Sequence, residues 1–401
     1  PFVYNIVIRS ECVSKSPKKS LLSLPLKVIL TEEGASYFIK NKKKLSRMRL
    51  ADNIEEYGVS LNNFSPQTIQ HMILVDYISK LEISVPEFAS CRQDVLDLSK
   101  LIVFSLLYKQ FDRAVFSSLI ETECVRKHNR TNPSQLIDKR DSVLDQQIIF
   151  FLRGKDNVVA EAKKALLEPL WCSFVNGKEL TIEEQNICML MTEKFLTRMS
   201  RINWYIVIKF FKEKGGEEIV NCIHGLLKDY VEKSKVAEYI SVMVMELALN
   251  SETANMKKEV KRIYRTHPDP ESLIFDPEVR KKVIAEMEKL HDVVSISWRL
   301  GGGSSSIGKQ GRLQITLYSR EDEFQEVKES IETKRSADLR KRSLIDFYKE
   351  LPEGDEGVVD LGLYYLSYLD EECKKINVKF ESLVNQYSAS DLMVITLVFN
   401  F

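Results

Sequence analysis

The chain has 401 residues, of which 44% are apolar and 29% charged, and its formal net charge is zero. That balance excludes disordered and collagen-like chains and supplies a packed core, while neutrality leaves no global field toward nucleic acid or anionic lipid. Seven dispersed cysteines without a CxxC pair suit a reducing compartment, and no apolar run reaches the roughly 18 residues of a membrane span.

The sequence opens on a strand-like run at residues 2–8 with no secretory pattern, so a cytoplasmic protein is expected. A second apolar run covers 24–30. Residues 38–49 then carry Lys40, Lys42, Lys43, Lys44, Arg47 and Arg49 without an acid. This segment reads as a solvated helix end or a phosphate-facing patch, and no aromatic residues interleave with its lysines as in single-strand binders.

Ser65-Pro66 is a helix start, an N-cap followed by proline at the first helical position. Ile69, Ile73, Leu74, Tyr77 and Leu81 continue at helical spacing. Further helices are expected over 95–111, 142–153, 158–167 and 182–199, the last opened by a capping box of Thr181 and Glu184. An apolar run at 203–212 ends at Gly215-Gly216, a plausible joint. A long helical stretch follows from 217 to 264 and stops before Pro268 and Pro270.

Period-two segments come next. Val294, Ile296 and Trp298 alternate with polar residues, as do Leu313, Ile315 and Leu317, and a glycine-rich hairpin from Gly301 to Gly311 joins them. Its Gly308-Lys309 is followed by Gln310-Gly311 and a strand rather than by Ser/Thr and a helix, so it is a hairpin and not a phosphate loop. A charged helical region (323–348), the turn Gly354-Asp-Glu-Gly357, an apolar helix through Leu369 and two strands (378–383 and 392–399) close the chain. The expected class is α+β: a small α/β region (1–64), a helical domain (65–215), and a C-terminal two-layer sandwich (216–401) of antiparallel strands under helices.

Two motifs lie in that last segment. Glu246-Leu-Ala-Leu-Asn250 places a carboxylate and an amide on one helical face. Gly357 and Gly362 flank Val358-Val359-Asp360-Leu361 at a loop-to-helix junction, where backbone and helix dipole favour phosphate. In this order, with strands between and after them, the motifs resemble the GHKL superfamily of ATP-binding domains, which includes histidine kinases, gyrase and mismatch-repair ATPases. The resemblance covers residues 225–401. It implies a histidine-kinase-type ATPase fold binding ATP or ADP with Mg²⁺: Glu246 as catalytic base, Asn250 as metal and cofactor ligand, and Lys257, Asp322, Gly357 and Gly362 around the nucleotide. Asn255, Lys257 and Lys258 fit the extension of the first motif in divergent bacterial signalling members.

The sequence departs from this pattern twice. The family's Asp-x-Gly-x-Gly box should follow the hairpin, but Tyr318 to Glu323 contains no glycine, leaving Asp322 as a stand-in for the adenine-reading aspartate. Val358, Val359 and Asp360 crowd the phosphate clamp with β-branched residues and a carboxylate of the wrong sign. The expectation is therefore a bacterial signalling or regulatory protein with a degenerate ATPase-like domain, more pseudoenzyme than enzyme, acting on a protein partner and able to dimerise through its helices, with no membrane or nucleic-acid partner. The alternatives are an active Mg-ATP-dependent histidine or serine/threonine kinase, and a sensor of nucleotides or small phosphorylated ligands.

Overall fold

The 24–30 run forms the first strand, β1 (Leu26–Leu30), in a computed structural model that describes residues 21–138, 142–177, 180–212, 216–290, 293–301, 311–320, 361–387 and 392–401. The 2–8 run, the charged region 323–348 and the Gly354–Gly357 turn lie outside the described residues. Helix α1 (Glu32–Lys40) follows, its N-terminus capped by Thr31, whose hydroxyl accepts the Gly34 N–H at 3.1 Å. Strands β2 (Ser46–Arg49) and β3 (Glu55–Leu61) form a hairpin, and α2 (Pro66–Leu74) starts at Ser65-Pro66 as expected.

Helix α2 does not run on to Leu81. Asp76 adopts a left-handed φ of 61°, and Thr31 fixes the turn by donating its hydroxyl to the Asp76 carbonyl at 2.6 Å and its N–H to Tyr77 at 3.0 Å. Residues Ile78–Val85 become β4. The spacing of Tyr77 and Leu81 fits both a helix and a half-buried strand, and pairing of β4 with its neighbours selects the strand.

The helical part comprises α3 (Arg92–Glu121), α4 (Glu123–Thr131), α5 (Ser142–Leu152), α6 (Asp156–Asn176), α7 (Ile182–Arg198) and α8 (Arg201–Phe210). The capping box on α7 forms in both directions, with the Thr181 side chain taking the Glu184 N–H and the Glu184 carboxylate taking the Thr181 N–H. The long stretch from 217 divides into α9 (Gly216–Ser234) and α10 (Val236–Ile263). Neither proline nor glycine marks the break. The Ser234 hydroxyl bonds back to the Tyr230 carbonyl, and Lys235 N–H reaches Glu232 rather than Val231, which tightens and turns the chain there.

The C-terminal part adds α11 (Pro277–Leu290), which hydrophobic periodicity did not single out, then β5 (Val294–Gly301), β6 (Arg312–Arg320), α12 (Leu361–Lys375), β7 (Lys379–Tyr387) and β8 (Leu392–Asn400). All the strands join one eight-stranded antiparallel sheet in the order β2-β3-β1-β4-β5-β6-β8-β7. The α+β class expected from the strand and helix pattern is present. Strands β1–β3 come from the first expected segment, β4 from the second and β5–β8 from the third. The Lys80–Val85 to Val294–Arg299 ladder therefore ties all three segments into one layer.

Alternation decides the two faces. Leu26, Val28, Leu81, Ile83, Ile296, Trp298, Ile315, Leu397 and Phe399 are buried in the main core with α3 and α10. The opposite face mixes apolar residues such as Ile29 and Val398 with shielded polar ones: Glu82 is fully buried, paired with Lys27 at 3.0 Å, and accepts the Ala51 N–H at 3.2 Å. Lys80 pairs with Asp52 at 2.8 Å, and Ser295 bonds Ser84 at 2.8 Å.

Candidate functional site

Helix α10 carries the residues that the sequence singled out. Its apolar side (Ile240, Val244, Ala248) enters the main core, while Met256 and Val260 pack with Ile274, Val283 and Met287 in a separate small cluster under α11. Its polar residues fall on two sides: Glu246 and Asn250 on one, and Glu252, Asn255 and Glu259 on another, in line with the apolar side. Ordinarily the polar side of a helix faces water; here Glu252, Asn255 and Glu259 are buried and Glu246 and Asn250 half-buried.

Glu246 meets Arg92, at the start of α3, at 2.9 Å, and its side chain is only 13% exposed. Burial pushes its carboxyl above the ordinary value, and the Arg92 charge pulls against that rise. Asn250 lies one turn further along α10, on the same face, and is also engaged. Lys257 does not reach toward that turn. It and Lys261 clamp Glu271 at 3.2 and 2.6 Å, and these two contacts, Lys261 foremost, hold the Glu271 carboxyl below its usual value. Gly362 lies in the first turn of α12. Asp322 and Gly357 fall outside the described residues, so Glu246 and Asn250 are the predicted site residues that the described structure places side by side.

A tighter constellation sits on another side of the same helix and was not foreseen. The Glu252 carboxylate accepts the N–H groups of Phe88 and, at 3.1 Å, Ala89, where a short 3₁₀ turn (Ala89–Cys91) leads into α3. A carboxylate at such a terminus is favoured by its unsatisfied amides and local dipole. Arg280 of α11 bonds Glu252 at 2.6 Å and Glu87 at 2.9 Å. Burial raises the Glu252 carboxyl above its ordinary value despite the two N–H donors and Arg280, and it raises the neighbouring Cys91 thiol to about 11, with the Glu252 charge adding to that. Each partner is more than 25 residues from Glu252 in the chain, so no local motif announces the cluster. Its one sequence signal is an acid inside the apolar half of a helix.

Two groups near this cluster stand out. Asn255 is buried, and its amide meets no hydrogen-bonding partner among the described residues. Glu259 turns to Arg262, whose Nε lies 2.8 to 2.9 Å from both of its oxygens. Chemically these side chains offer ion pairs and amide dipoles; no group of three or more His, Cys, Asp or Glu suited to a metal occurs among the described residues. No helix among the described residues is long and apolar enough to cross a membrane.

A family model described as a family of unknown function, DUF8084, matches residues 17–401. The chain is similar to an uncharacterized protein of Treponema pallidum (strain Nichols), 36% identical over 390 residues that span 97% of this chain and all of the relative. No solved structure matches it.

Proposed function

The chain belongs to DUF8084, and from that premise we propose that it is a bacterial regulatory protein built on a histidine-kinase-type ATPase framework whose nucleotide site has degenerated, acting through a protein partner. Two features support the framework. The connectivity runs from a long helix carrying Glu246 and Asn250 through α11, an antiparallel hairpin, a further helix and a second hairpin, and β5, β6, β8 and β7 lie side by side under helices. The observation that carries the degenerate reading is the Glu246–Arg92 pair at 2.9 Å, in which the glutamate side chain is only 13% exposed. A general base must hold its carboxylate free to take a proton within hydrogen-bond reach of a substrate. Here that carboxylate neutralises a guanidinium from another helix, and Lys257 is committed to Glu271.

Calorimetric titration with Mg-ATP and Mg-ADP tests this reading, with Asn250→Ala as the control. The expected result is no binding tighter than about 100 µM. Tighter binding that Asn250→Ala abolishes would overturn it in favour of an active Mg-ATP-dependent kinase.

A further inference from the structure

Helix α2 packs on α3, α7 packs on α9, and α3 lies against α9. This arrangement leaves an open groove of about 420 Å³ lined by α2, α3 and α7, with Tyr230 of α9 at its base. The volume falls within the roughly 300–1,000 Å³ of small-molecule sites. Ile187, Leu190, Lys194 and Arg198 recur at helical spacing along the α7 side, and Gln67 and Gln70 come from α2.

The inner wall is aromatic and fixed. Tyr108 and Phe195 have ring centroids 5.2 Å apart, Phe195 and Tyr230 4.8 Å, and Tyr108 donates its hydroxyl to the Arg198 carbonyl. Leu101, Phe104 and Met191 continue the apolar lining and are only half-buried. Ile187 and Leu190 stand 56% and 50% exposed at the edge. Apolar side chains gathered in water around a recess mark a place where an apolar body is taken up.

The charge lining the groove has one sign. Lys194 and Arg198 are its charged residues, and neither side chain has an ion pair or hydrogen bond to any described residue. Of the acids close by in α3 and α7, Asp97 accepts the Gln93 amide at 2.9 Å and Asp112 the Ser200 N–H at 2.9 Å. Glu193 pairs with Lys163 at 3.6 Å, and Glu183 lies about three turns along α7 from Lys194. Lys194 and Arg198 are four residues apart, so both heads can meet one anion, and the arginine fork suits the two oxygens of a carboxylate.

We propose that this groove binds a free amphipathic carboxylic acid, its carboxylate held by Lys194 and Arg198 and its aliphatic body laid along Leu101, Phe104 and Met191. Two cations beside a mostly apolar lining fit one carboxylate on a hydrocarbon better than a polyphosphate. The inference uses no residue of α10 and is independent of whether the nucleotide site is degenerate. Because the lining comes from separate helices, occupation would join α7 to the α2–α3 pair.

The test is calorimetry of the full chain with octanoate, 1-octanol and acetate. Octanoate should bind with a Kd below about 1 mM. Acetate, a carboxylate without the body, should give no heat at about 10 mM. The uncharged 1-octanol should bind at least about 5-fold more weakly than octanoate. Lys194→Gln/Arg198→Gln should weaken octanoate about 10-fold or more. It should leave the melting temperature of the unliganded protein unchanged, because both side chains are exposed and unpaired among the described residues. Leu190→Glu should also weaken octanoate, by setting a carboxylate beside the ligand's own. The proposal is overturned if octanoate gives no heat at about 10 mM, if 1-octanol binds as tightly, or if the double variant binds octanoate like the parent. A dimer in sedimentation velocity that Leu190→Glu dissolves would assign the groove to a second copy of the chain and overturn it as well.

Discussion

The Glu252 knot gives the sharpest test of how this fold is held. Glu252 is a fully buried carboxylate that accepts two backbone N–H groups and one guanidinium arm. Glu252→Ala leaves the Phe88 and Ala89 amides and one arm of Arg280 without their acceptor, and it opens a cavity the size of the lost side chain. Breaking a buried pair from one side costs about 3–5 kcal/mol, and Arg280 recovers part of that because it keeps Glu87 and is itself 32% exposed. The expected loss is therefore about 3 kcal/mol. Glu252→Gln keeps the shape and one oxygen for the amides but turns an NH₂ toward Arg280. Since burial already raises this carboxyl above its ordinary value, its uncharged form is better tolerated here than in water, and the expected loss is only about 1–2 kcal/mol.

The pH dependence follows from the same shift. A carboxyl whose folded value is raised binds its proton more tightly when folded, so its contribution to stability is fully present below the ordinary value of 4.5 and falls as pH rises through the folded value. The parent should lose stability relative to Glu252→Gln from pH 4.5 upward, since the glutamine cannot titrate. Urea unfolding of the parent and both variants, at a series of pH values from 4 to 8, reads both effects. Glu252→Ala within about 0.5 kcal/mol of the parent, or Glu252→Gln costing more than Glu252→Ala, would refute the reasoning.

Arg92→Met should leave stability within about 1 kcal/mol, because the Arg92 side chain is 53% exposed. It should also move the Glu246 carboxyl further up, since burial stays and the opposing charge goes, which carbon-detected NMR titration of the side-chain carboxyl would show. In β3, Gly58 has the Val28 carbonyl at 2.1 Å from where a Cβ would stand, so Gly58→Ala should force β1 and β3 apart and cost more than about 2 kcal/mol in urea unfolding. Trp298 is fully buried between β4 and β6, and Trp298→Ala should cost about 3–5 kcal/mol, with retained stability counting against the described register. Thr181→Ala should cost about 1 kcal/mol and raise hydrogen exchange in the first turn of α7, because the hydroxyl that accepts the Glu184 N–H is lost.

Much of the element inventory is legible because its causes are local. Alternating Val294-Ile296-Trp298 and Leu313-Ile315-Leu317 wrote the central hairpin, Ser65-Pro66 and Thr181/Glu184 opened their helices, and α10 ends before Pro268 and Pro270. The α9–α10 break escaped because a serine bonding back to its own turn resembles any other serine in a helix. Strand β4 escaped because Tyr77 and Leu81 suit either period, and what settles the matter is Leu81 opposite Trp298, more than 200 residues away.

For the candidate site, the sequence determined that Glu246 and Asn250 share one helical face, since four residues make about one turn. Only the tertiary structure decided what the polar side chains of α10 meet: Arg92 for Glu246, the Phe88 and Ala89 amides with Arg280 for Glu252, and Glu271 for Lys257. Helical periodicity is set by neighbours three or four residues apart, whereas the partner of a buried charge is set by which distant segment the packed core brings within about 3 Å, and no local pattern encodes that distance.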